Sequence, residues 1–356
     1  MTHPYRNIPD FCYWSNAMSW PSPGQIDPVV RDFEISVTDK IATMGSCFAQ
    51  HMARHVQAAG LHHYVAEPAP ADMDPATARQ RGYGVYSARY GNVYTPRQAL
   101  QLFDRAFGLF QPVDDVWETG DGYVDAFRPV IEPDSLGSKE AVKAQAQLHL
   151  SCVRDVFLNS DWLVFTLGLT ESWSSRIDGA VYPLAPGVRA GAWDPQIHQF
   201  INLTIQDLRE DLDRFIEKIS GVNKNLKILL TVSPVPLVAT YERRHVLVST
   251  VYSKSALRVA VDEMERKHEH VHYFPSYELI TSPAFGGRFF QDDLREVNEL
   301  GVAHVMRLFK KHCVSLQKAR SQPPTGASPG PAPSPAFDIA CDDRWIEQAR
   351  RASGFG

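Results

Sequence analysis

Long hydrophobic runs are missing from this chain, and no apolar stretch approaches the roughly 20 residues needed to span a bilayer. The opening segment, MTHPYRNIPDFCYW, has no basic stretch followed by an apolar one, so a secretory leader is not expected. Cysteine is scarce: five in 356 residues (Cys12, Cys47, Cys152, Cys313, Cys341), an odd number with no C-x-x-C spacing. That argues against a disulfide framework and a zinc site, and makes the reducing cytoplasm the simplest location. Charge of one sign is also lacking. A net charge of −5, with 22% charged residues, gives no electrostatic reason to expect nucleic acid or an anionic membrane as partner. Glycine-rich nucleotide fingerprints and internal repeats are absent too.

What is present is an alternation of apolar strands and amphipathic helices. KIATMG reads as a short buried strand, and SCFAQHMARHVQAAG as a helix that stops at Gly60. Thr95-Pro96 is a helix start, with Thr as N-cap and Pro at the first helical position. EAVKAQAQLHLSCVRDVFLNS is amphipathic. Trp162 to Leu167 is a continuous run suited to a parallel strand buried on both faces, and it ends at Gly168. IQDLREDLDRFIEKIS, SKSALRVAVDEMERKH and NELGVAHVMRLFKKHCVSLQKA read as helices, NLKILLTVSPVPL and HVHYFPSYELI as strands. This order predicts a parallel sheet with helices on both faces, whose ligands bind beyond the carboxyl ends of the strands. The expected organisation is an arm over 1–35, the α/β domain over 36–318, a Pro/Ser-rich linker over 319–336 and a docking peptide over 337–356, bound to the domain or to a protein partner.

Four strand ends fall at the expected site: Gly45-Ser46-Cys47, Gly168 to Glu171, Ser233-Pro234 and the segment after Tyr277. At the first, the unsatisfied amides of a helix N-terminus would favour a thiolate and hold an oxyanion, so Cys47 is suited to be a nucleophile. The other reading makes Cys47 a small buried hydrophobe and Ser46 an N-cap. HEHVH (His268 to His272) straddles a helix end and a strand start with no carboxylate or cysteine cluster beside it. Surface solvation is therefore the better reading, and no metal site is expected.

GSCFA at the end of an early strand is the naming motif of the GSCFA-domain family. The blocks GVYSARYGNVYTPRQ, VFTLGLTESW, LTVSPVPL, YSKSALR and HYFPSYELITS extend the resemblance over residues 30 to 312. The family resembles the SGNH/GDSL hydrolases and related capsule-biosynthesis acetyltransferases. The resemblance thus implies a three-layer α/β/α, SGNH-hydrolase-like (flavodoxin-like) parallel sheet. Gly45 to Phe48 lies over Gly-Asp-Ser-Leu, whose third position is the nucleophile, which selects Cys47 over Ser46. Gly91 and Asn92 then match the block that supplies oxyanion donors. Where the third block reads Gly-x-Asn-Asp, this chain has Gly168, Thr170 and Glu171, without the amide donor. Where the fourth reads Asp-x-x-His, it has Asp293 and Glu296.

A glutamate near its ordinary pKa is a poor base for a thiol, so His198 and His245, both in expected loops near the strand ends, are the candidate replacements. His51 and His55 lie along the helix of Cys47, and His304 is read as structural. Arg89, Tyr90, Tyr94 and Arg288 would suit sugar rings and anionic groups, or would simply pack loops. Ser233 completes the candidate binding residues. The implied function is acyl transfer or ester hydrolysis on a carbohydrate or polysaccharide precursor through Cys47 (or Ser46). No cofactor is required, and acyl-CoA is a candidate donor. The alternative is a degenerate SGNH-like binding or scaffold protein.

Overall fold

The computed structural model describes residues 3–30, 33–315 and 342–352. Four parallel strands form its centre, in the order Val271–Tyr273, Lys227–Val232, Trp162–Leu167 and Ile41–Gly45. In chain order the molecule begins with an arm of short helical turns, followed by β1 (Ile35–Ser36), β2 (Ile41–Gly45), α1 (Phe48–Ala58), α2 (Pro75–Gln80) and α3 (Pro96–Ala106). The hairpin β3 (Val116–Glu118) and β4 (Tyr123–Asp125) precedes α4 (Lys139–Asn159), β5 (Trp162–Leu167), β6 (Glu171–Ser175), β7 (Val181–Tyr182) and β8 (His198–Asn202). The remainder comprises α5 (Ile205–Val222), β9 (Lys227–Val232), α6 (Val246–Lys267), β10 (Val271–Tyr273), α7 (Ser276–Thr281), α8 (Glu299–Cys313), β11 (Val314–Ser315) and α9 (Asp343–Ala352).

The apolar runs work as read. Successive side chains on a strand point to opposite faces. Leu163, Phe165 and Leu167 of β5 join Ile228, Leu230 and Val232 of β9 in one core, with α3, α4, α5 and α6. Trp162, Val164 and Leu229 face the other way, into a second core with α1, α7 and α8. Strands apolar on both faces therefore carry helices on both faces, and the chain is an α/β protein with a parallel central sheet. The free edge of β2 is shielded: Ile41 bridges to His63, and Ser87 exchanges hydrogen bonds with Thr43.

Three expectations change. HVHYFPSYELI is a strand only through Tyr273; Pro275 lacks the N–H a ladder needs, and α7 follows. Residues after Gly168 were expected to be loop but form the antiparallel sheet β7-β6-β8, where Ser and Trp alternate in ESWSS. The final helix of the domain stops at Cys313, and the chain then pairs β11 with β1. The expected linker over 319–336 lies outside the described residues. Of the expected docking peptide, 342–352 is described, and it packs back on the domain. Among the described residues no helix is long and apolar enough to cross a membrane.

Candidate active site

The Gly-Ser-Cys corner is fixed by its neighbours. Gly45 has φ +132°, and a Cβ there would stand 2.3 Å from the Thr166 carbonyl oxygen, so the position takes glycine alone. Ser46 N–H donates to that same oxygen at 2.9 Å, tying the turn to β5. Cys47, not Ser46, is the residue before the first turn of α1, and its side chain makes no capping bond. The expected Ser46 cap is therefore absent: Ser46 Oγ is buried without a hydrogen-bond partner. Cys47 is 7% exposed. The helix start leaves amides there without intrahelical partners, a setting favourable to an anion.

A second segment lies across this corner. Gly91 turns with φ +68°, Val93 N–H donates to Gly45 O (2.9 Å), and Gly168 N–H donates to Tyr94 O (2.8 Å). The segment is anchored by the start of α3, where Thr95 Oγ1 accepts from Gln98 N–H as its sequence predicted. Asn92 is oriented by Tyr86, whose hydroxyl lies 2.8 Å from Asn92 Oδ1 and 2.9 Å from Ser46 O. That leaves the Asn92 amide nitrogen facing the cleft. Gly168 is needed here for close approach, since a Cβ would come within 2.7 Å of the Tyr94 ring.

Ser46, Cys47, Tyr94, Gly168 and Ser233 line one small cavity, together with Arg295. A larger neighbouring cleft shares Tyr94 and Leu169 and adds Glu171, Trp173 and Phe200. Glu171 accepts from Thr240 Oγ1 (2.5 Å) and Tyr241 N–H (3.1 Å), and burial pushes its carboxyl up. Thr170 donates to Asn202 Oδ1 at 2.7 Å, behind that wall.

The remaining predicted residues lie elsewhere. His198 opens β8 opposite Ser175, four residues along β6 from Glu171, or ~13 Å at strand spacing. Its Nδ1 accepts from Asp194 N–H, and its Nε2 faces Asp114 at 3.7 Å, so it holds a loop rather than reaching Cys47. His245 is exposed and caps α6 through Nδ1. Asp293 and Glu296 are both exposed; Asp293 caps its own turn by accepting from Arg295 and Glu296 N–H. Between them, Arg295 turns inward, donating to Pro236 O and pairing with Asp343. Arg89 is not at the mouth: it is buried between Glu67 and Glu132, over the Tyr83 ring. Tyr90 donates to Thr43 O, and Arg288 is exposed. His304 stacks on Phe289, the structural place expected for it.

Sequence reasoning missed Lys254. It lies fully buried on α6, three residues before Leu257 and seven before Val261 on the helix face turned to the core. Its Nζ donates to Gly168 O at 2.5 Å. Desolvation lowers its pKa from 10.5 to about 7; the charge of Cys47 opposes that fall, Arg295 adds to it, and Asp343 opposes it again. A lysine at a core-facing helical position was the available signal. Among the described residues no cluster of three His, Cys, Asp or Glu could hold a metal ion.

A buried thiol at a helix N-terminus and a buried lysine held near neutral pH make a site suited to nucleophilic chemistry, with the Asn92 amide nitrogen beside the adjoining cleft through Asp342. Compared with known proteins, the chain matches the GSCFA family model over residues 40–309. The search of curated proteins gives no match.

Proposed function

The chain belongs to the GSCFA family, and from that premise we propose acyl transfer or ester hydrolysis on a carbohydrate or polysaccharide precursor, with Cys47 as nucleophile. The observation that carries the reading is Lys254, buried and held near neutrality, hydrogen-bonded to a residue lining the Cys47 cavity. In this reading Lys254 does the proton transfer that a histidine does in SGNH-type enzymes, from a different element of the chain. Cys47 Sγ attacks the acyl carbonyl carbon, its proton passing to Lys254 Nζ. The Sγ–carbon bond forms, and the carbon–oxygen bond of an ester, or carbon–sulfur bond of a thioester such as acyl-CoA, breaks. Lys254 returns the proton to the leaving atom. The carbonyl oxygen, negative in the intermediate, faces the amides at the start of α1 and the Asn92 side chain. A sugar hydroxyl or water then attacks the thioester carbon, giving its proton to Lys254 Nζ; the new carbon–oxygen bond forms, the Sγ–carbon bond breaks, and Lys254 returns the proton to Cys47 Sγ.

A second reading, a binding protein without turnover, is favoured by one observation: the chain's own Asp343 walls the cavity of Cys47. p-Nitrophenyl acetate separates the two. The catalytic reading expects one acetyl group on Cys47 by mass spectrometry, none in Cys47→Ala, and formation slowed about a hundredfold in Lys254→Met, the usual scale for a lost proton acceptor. An unacylated Cys47 in the folded chain, with α9 displaced as described below, would leave the binding reading standing.

A further inference from the structure

A segment distant in sequence lines the Cys47 cavity through Asp343 and the adjoining cleft through Asp342, Asp343 and Ile346. Asp342, just before α9, is 3% exposed, while α9 itself has no buried residue. Asp342 Oδ2 accepts from Asn92 Nδ2 at 3.1 Å and from Tyr94 OH at 3.0 Å. Asp343 pairs with Arg295 and lines the cavity of Cys47. Ile346 lines the neighbouring cleft, and Arg189 lies 4.7 Å over the Trp345 ring. Asp343, Ile346 and Ala349 recur every three residues, the spacing of one helix face, and all three are half-buried.

The chemistry of these contacts is specific. Asn92 presents its amide nitrogen to the cleft because Tyr86 holds its oxygen, and that nitrogen is met by a carboxylate oxygen. A carboxylate there has the shape and charge of an acyl group after hydrolysis, and Asp342 lines the cleft that adjoins the Cys47 cavity. Burying a carboxylate is costly unless donors meet it, and two neutral donors plus a separate guanidinium for Asp343 form a built cradle rather than an incidental contact.

We propose that the Asn92–Tyr94–Arg295 cradle is a binding site for an acidic segment, and that Asp342 with helix α9 is its intramolecular ligand, competing with substrate for the Cys47 cleft. The inference rests on reading that cleft as the reactive site, but its test needs no turnover. In the full-length chain, iodoacetamide labelling of Cys47, located by mass spectrometry, is compared between wild type and Asp342→Ala/Asp343→Ala. The substituted chain labels about tenfold faster or more, the scale set by losing one hydrogen bond to a charged group. Trp345→Ala, which leaves both aspartates in place, gives a smaller increase in the same direction. A synthetic peptide of residues 342–352 slows labelling of the double variant back toward wild type, and a scrambled peptide does not. Equal rates in wild type and double variant, or indifference to the peptide, overturn the proposal.

Anisotropy of the same peptide, fluorescently labelled, on a chain carrying Cys47→Ala with both aspartate substitutions isolates cleft occupancy from thiol chemistry. Saturable binding there, with p-nitrophenyl acetate inert toward Cys47 in the tail variant, supports the ligand and removes the acyl reading. Acylation without peptide binding does the reverse.

Discussion

Around Arg89 every buried charge meets an opposite one, whereas Lys254 is buried against a single carbonyl. In the first region Arg89 pairs with Glu132 at 2.5 Å and approaches Glu67; Glu67 takes a hydrogen bond from the Arg89 backbone and contacts His149 at 2.7 Å; Arg128 pairs with Asp125 at 2.8 Å. In the second, Lys254 has Gly168 O as its partner, and desolvation pulls its pKa to about 7. Paired burial repays much of its desolvation cost and fixes how loops meet the sheet. Burial without a counter-ion is a net burden on folding, and such perturbed groups gather where chemistry is done. The difference assigns the first region to architecture and the second to the site.

The comparison breaks most visibly at Arg89. Arg89→Met leaves Glu67 and Glu132 buried without their guanidinium and is expected to destabilise by about 3–5 kcal/mol, seen as a lower urea midpoint at unchanged slope. A loss under ~1 kcal/mol, the size of an exposed pair, would erase the distinction.

Lys254 is expected to behave in the opposite sense. Its pKa falls on folding, so between pH 7 and 10.5 the unfolded chain binds a proton that the folded chain lacks. Stability then rises with pH across that window by on the order of 1 kcal/mol per unit. Lys254→Met lacks this slope. Urea midpoints of wild type and variant, measured from pH 7 to 10, should converge as pH rises, and parallel curves would show that the lysine is not desolvated.

The smallest effect sharpens the site side of the comparison. Burial first, then the neighbouring Asp343, push the Asp342 carboxyl up to about 6, against the lowering influence of Asn92, Tyr94 and Arg344. Arg295, paired to Asp343, and Lys254, which interacts with Asp343 and itself titrates near 7, are the other charges nearby. The docked segment therefore holds a proton that the free peptide releases, and docking strengthens as pH falls toward 5. Affinity of the 342–352 peptide should be about tenfold greater at pH 5 than at pH 7.5 by proton linkage. Equal affinities would mean that Asp342 stays ionised when bound.

Much of the scaffold was legible. Trp162 to Leu167 could only be a strand covered on both faces, and Thr95-Pro96 marked a helix start because the two residues supply an acceptor and a preset φ. The Gly-Ser-Cys corner was legible as a site because strand ends of parallel sheets collect ligands. The proton-handling residues were not. Asp293 and Glu296 match a motif by spacing, yet the turn that Asp293 caps leaves both in solvent and swings Arg295 inward. His198 looked like a loop residue because ESWSS and HQFIN are short strands in a small sheet apart from the parallel one. Lys254 hid in a helix where lysine is commonplace; its depth depends on which face α6 turns to the sheet. The docking of α9 depends on a cradle in which Arg295 joins Asn92 and Tyr94 from more than 200 residues further along the chain.

The five letters of the signature can be sorted by who dictates them. The glycine is dictated by the carbonyl of Thr166, which admits no Cβ. The serine is confined by Gly168, whose own Cβ position lies 3.2 Å from Ser46 Cβ. Phe48 and Ala49 are filled in by the two cores on either side of the sheet. Four letters thus spell a joint between neighbouring pieces of backbone and core, leaving the thiol of the third to face the cavity. A chain that kept the joint while replacing the thiol would still be recognisable by its spelling, so the signature alone identifies the corner rather than the reaction performed there.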